Sequence, residues 1–90
     1  MDFSNKPLED CSSELKSRTD FIQFIYALKK DLEKNPDEWE NCDLRTYLNA
    51  LAAFLGDANG YYKNAELNVS ADDPSWRVFA DCMMAARVYD

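Results

Sequence analysis

The chain has 90 residues, with 17 Asp and Glu against 10 Lys and Arg, no His, and a formal charge of −7. That balance excludes nucleic acid and an anionic membrane surface as natural ligands, because phosphate binding is driven by Lys and Arg. It favours a basic protein partner, whose opposite field raises the encounter rate.

Ninety residues suit one domain, and an apolar fraction of 47%, with five Phe, five Tyr and two Trp, supplies a core without disulfide or metal staples. Only two Gly and three Pro interrupt the chain, which favours helices over a turn-rich β fold. Residues 1–7 carry neither a basic n-region nor an apolar h-region, so no secretory signal is expected. No apolar run is long enough to cross a bilayer. Cys11, Cys42 and Cys82 are odd in number and widely spaced, as expected of reduced thiols in a cytoplasmic protein.

Leu8, Cys11 and Leu15 follow Pro7 at helical spacing, which predicts a short amphipathic helix over residues 7–16. Ser17 with Asp20 reads as a capping start, and Phe21, Ile25, Leu28 and Leu32 carry a helix from Arg18 to Lys34, its apolar face widened by Ile22 and Phe24. Asn35-Pro36 ends it. The next residues, through Asn41, form an acidic connector around Trp39, and either Asn41 or Asp43 can cap the next helix. Leu44, Tyr47, Leu48, Leu51, Phe54 and Leu55 predict that second long helix, ending at Gly56. Residues 57–72 read as a turn or short helix, then an irregular loop. Asp73-Pro74 is expected to start a last helix running to the C-terminus, with Trp76, Phe79, Ala80, Met83 and Ala86 or Arg87 on its buried face. The expected fold is all-α, a three- or four-helix bundle over residues 17–90 preceded by an extension over residues 1–16.

The residues that chemistry needs are missing. Without His the chain lacks the commonest general base and metal ligand, and its cysteines form no CxxC pair. It has no P-loop, nucleophile elbow or dinucleotide fingerprint. Neither catalysis, a cofactor nor a metal is expected. The most polarised segment runs from Asp31 to Asp43, where six acids face only Lys34. Asp37, Glu38, Glu40 and Asp43, with Trp39 among them and the pair Tyr61-Tyr62, are the candidate partner-binding residues. Trp39 has a second reading as a plug between two helices, and Tyr61-Tyr62 a second reading as half-buried rings with polar tips.

Trp39-Glu40-Asn41, Leu44, Tyr47-Leu48, Leu51, Tyr61-Tyr62, Pro74-Ser75-Trp76 and Ala85-Ala86-Arg87-Val88-Tyr89-Asp90 together resemble a family of small bacterial domains of unknown function, over roughly Ser17 to Asp90. The resemblance implies a stand-alone immunity protein of a toxin system such as contact-dependent inhibition, with no catalytic motif to carry over. On that reading the partner is a basic toxin domain, such as a nuclease, bound in the cytosol. The alternatives are an acidic helical adaptor for a cellular protein and a small-ligand bundle with Trp39, Trp76, Tyr61 and Tyr62 as an aromatic pocket.

Overall fold

The computed structural model describes residues 8–89, so Pro7, the residues before it and Asp90 lie outside the described residues. The fold is all-α: α1 (Leu8–Cys11) with a 3-10 turn (Ser12–Glu14), α2 (Arg18–Lys34), a 3-10 turn (Pro36–Glu38), α3 (Leu44–Asn64) and α4 (Trp76–Ala85). No strand occurs among the described residues.

Each long helix begins where a short polar side chain can accept from the free amides of its first turn. Ser17 Oγ accepts from Asp20 N at 3.1 Å, and the Asp20 carboxylate reaches back to Lys16 N at 3.0 Å, one residue beyond the cap. For α3 the capping residue is Asp43, whose carboxylate accepts from Thr46 N at 2.9 Å. The start of α4 corrects the expectation from Asp73-Pro74: the cap is Ser75, accepting from Val78 N at 3.1 Å, and Pro74 precedes it.

The end of α3 is a second correction. Gly56 and Gly60 both lie inside the helix, at about 1 kcal/mol each relative to Ala, a cost that 21 residues of tertiary packing outweigh. The helix stops instead at a Schellman turn. Leu67 N donates to Tyr62 O at 2.9 Å and Glu66 N to Lys63 O at 3.1 Å. Glu66 takes the left-handed conformation at φ 58°, a position that favours glycine. Tyr61 and Tyr62 therefore belong to a helix and not to a loop.

α4 is the central element and packs against α1 and its 3-10 turn, α2 and α3, whereas α2 and α3 barely touch each other. Two core clusters result. One gathers Leu8, Cys11, Leu15, Phe24, Leu28, Trp39 and Ala80. The other gathers Phe54, Ala58, Tyr62, Val78 and Cys82. Leu8, Cys11 and Leu15 are thus integral to the core, so the part of residues 1–16 that is described is no appendage to the bundle. Phe79, expected on the buried face of α4, is 45% exposed; Trp76, Ala80 and Met83 face the first cluster as expected, and Val78 and Cys82 bury a second face of α4 in the other cluster. α4 ends at Ala85, and a turn carries the chain to Tyr89.

Candidate protein-binding groove

The connector between α2 and α3 is held by side chains from distant parts of the chain. Trp39 is 7% exposed, and its indole N–H donates to Asp31 at 2.8 Å. Its ring stacks on Tyr47, with centroids 5.9 Å apart, and the Arg87 guanidinium lies over it at 5.9 Å. Arg87 Nη1 pairs with Asp31 at 3.0 Å, and Asn35 donates to the other Asp31 oxygen. Burial opposes ionisation of Asp31, but the hydrogen bonds from Trp39, Asn35 and Arg87, with the Arg87 charge, hold its carboxyl below the ordinary carboxylate value. Asn41 fastens the connector further, donating through its amide to Ala86 O at 3.0 Å and Tyr89 O at 2.8 Å. The W-E-N and A-A-R-V-Y segments of the sequence are the two halves of this joint.

Because the joint holds α3 away from α2, an apolar groove of about 330 Å³ opens between them. Ile25, Leu28, Lys29 and Leu32 of α2 form one wall, Trp39 and Tyr47 contribute apolar surface, and Asn41 to Leu44 complete it. Leu44 is 72% exposed, and Ile25 is also exposed. Tyr47 donates its hydroxyl to Met83 O at 2.7 Å, and burial pushes its pKa up to about 12, so it stays a neutral lining group.

Of the candidate residues, Asp37, Glu38, Glu40 and Asp43 are exposed along the connector. Asp43 is also the cap of α3, and its hydrogen bonds from Thr46 lower its pKa. Trp39 is a plug, engaged on several sides, and only the small part of it left exposed lines the groove. Tyr62 is 1% exposed and donates its hydroxyl to the buried Asp81 at 2.7 Å, which removes it from any contact surface. Tyr61 is 49% exposed but packs on Phe54 in the second cluster, remote from the groove linings. Trp39, Trp76 and the tyrosine pair do not line one pocket. Trp76 stacks on Phe21 at 5.4 Å, and Tyr62 sits in the other cluster.

Sequence reasoning placed Ile25 and Leu44 in the core and so missed them as surface residues. The signal for them was excess: α2 has apolar residues at 21, 22, 24, 25, 28 and 32, more than one buried stripe can hold.

Among the described residues no group of three or more His, Cys, Asp or Glu is placed to hold a metal ion, and no helix is long and apolar enough to cross a membrane. Cys82 is buried, and burial followed by the Asp81 charge lifts its thiol to about 11. Cys42 is exposed at the groove wall. Comparison with curated proteins and with solved structures gives no match. A family model does match, over residues 17–90 and so across α2, α3, α4 and the joint between them, and the chain belongs to that family of unknown function, DUF7660.

Proposed function

We propose that the protein acts by stoichiometric binding of a protein partner in the groove between α2 and α3. The observation that carries this reading is an open apolar groove, with Leu44 72% exposed at its edge, beside a run of exposed carboxylates. Apolar side chains of the partner enter against Ile25, Leu44, Trp39 and Tyr47, while its basic residues meet Glu40, Asp37 and Glu38. Anchors in a desolvated groove set the lifetime of such a complex, and peripheral charges set its rate of formation.

In its most specific form the partner is a basic toxin that the protein neutralises as an immunity protein. The formal charge of −7 and the absence of histidine support a covering role over a catalytic one. Calorimetric titration against the product of the adjacent gene tests it. A one-to-one complex is expected, weakened at least about tenfold by Leu44→Asp or Ile25→Asp in variants that keep their helical dichroism. Binding that ignores both substitutions overturns the groove reading, and a neighbour that is not bound removes the toxin assignment.

A further inference from the structure

Among the described residues, the outer face of α3, away from α4, is covered by no other helix, and only Asn59 at its C-terminal end bonds to the loop at Ala71 and Asp72. Leu48 is 52% exposed and Leu55 47%, and Arg45, Asn49, Ala52, Gly56 and Asn59 surround them, all exposed. Exposed leucines on a helix face without acids are what a buried contact needs; Arg45 is the one charge on this face, and the longest helix of the fold carries only one of the chain's 17 acids, Asp57.

We propose that this face is the interface of a two-fold homodimer, formed by antiparallel α3 helices crossing at Ala52. A two-fold axis there pairs residues in a fixed way, because each position meets the one equally far on the other side of the axis. Leu48 falls on Gly56 of the second copy, and Leu55 on Asn49 of the second copy. A Cβ at Gly56 would meet nothing within 4 Å among the described residues, so the space that receives Leu48 is open. Ala52 and Gly56 let the two backbones approach closely.

The charges commit the occupant to a second copy. The same axis sets Arg45 against Asn59 of the second copy, and within each chain Asn59 donates its amide to Asp72 at 3.2 Å. Arg45 has no carboxylate partner within its own chain among the described residues. The dimer supplies one in Asp72 of the second copy, twice by symmetry, so opposite charges close both ends of an apolar centre. This surface is separate from the α2–α3 groove, and it stands whether or not the groove binds a partner.

Sedimentation equilibrium of the full chain decides the matter. The mass is expected to rise from 10.4 kDa toward twice that value across the micromolar range. Leu48→Glu and Arg45→Asp are each expected to hold the protein monomeric with unchanged helical dichroism. The charge exchange Arg45→Asp with Asp72→Arg is expected to restore the dimer that Arg45→Asp alone abolishes, while Tyr26→Glu, exposed on α2, leaves it intact. A wild-type chain that stays monomeric throughout, a Leu48→Glu variant that still dimerises, or a charge exchange that fails to restore association would each overturn the proposal.

Discussion

Arg87 reaches 56 residues back along the chain to set its Nη1 3.0 Å from Asp31, closing the C-terminal turn onto the end of α2. The pair makes stability depend on pH in a defined direction. The folded-state pKa of Asp31 lies below the unfolded value of 3.8, so folding gains from ionised Asp31 above that value and loses the gain as pH falls through the lowered folded value. Acid titration of the melting temperature is expected to show a loss below about pH 4. Arg87→Ala is expected to reduce it, and Asp31→Asn to abolish that component.

Trp39 fills the same joint, and two substitutions separate its volume from its hydrogen bond. Trp39→Ala is expected to cost about 3–5 kcal/mol by denaturant unfolding, as a large buried ring is lost. Trp39→Phe keeps much of the ring but removes one of the two donors to that Asp31 oxygen, leaving Arg87, and is expected to cost about 1–3 kcal/mol. Equal effects would mean that lost ring volume adds nothing to the loss of the hydrogen bond.

Glu66 holds φ 58° at the end of α3, where a side chain is strained. Glu66→Gly is expected to stabilise the protein by about 1 kcal/mol, measured by denaturant midpoint, because it relieves the left-handed penalty more than it adds unfolded-state freedom. Glu66→Ala keeps the penalty and is expected to give no such gain.

The thiols divide by access. Cys42 is exposed and is expected to react rapidly with Ellman's reagent in the native protein, while Cys82, buried and raised to about 11, and the buried Cys11 react only on unfolding. One fast equivalent followed by two slow ones is the expected trace. Reducing agent is expected to leave the melting temperature unchanged, since no disulfide joins the three.

The acidic connector contains residues with different jobs. Asp43→Ala removes the cap of α3 and is expected to lower the melting temperature by about 4–8 °C. Glu40→Ala and Glu38→Ala are expected to leave it within a few degrees while slowing partner association at low salt. If all three behave alike in both measurements, the capping bond from Thr46 N has no measurable effect on stability.

Local chemistry made much of the fold readable. α2 runs from Arg18 to Lys34 as its periodicity and its Ser17 and Asn35-Pro36 boundaries predict, since caps and stops act through neighbours in the chain. Asp43 is a legible cap for the same reason. The boundaries at Gly56 and Pro74 mislead a local reading because a glycine inside a helix costs little against tertiary packing, and because Ser75 competes as the better-placed cap.

What residues 17–90 could not disclose was which apolar side chains would find partners. Periodicity marks Phe24, Ile25, Leu28, Leu44 and Leu48 alike, yet Phe24 and Leu28 are buried while Ile25, Leu44 and Leu48 face solvent. The difference arises because the Asp31–Trp39–Arg87 joint and the Asn41 contacts to Ala86 and Tyr89 fix the angle at which α3 leaves α2. The contacts that Arg87 and Asn41 make link residues 45 to 56 positions apart, and no local pattern encodes them. The sequence by itself determined that the chain is helical, where α2 runs and how acidic the chain is; the tertiary structure alone decided how far α3 extends and that α4 takes the centre, leaving, among the described residues, an open groove on one side of α3 and a face that no helix covers on the other.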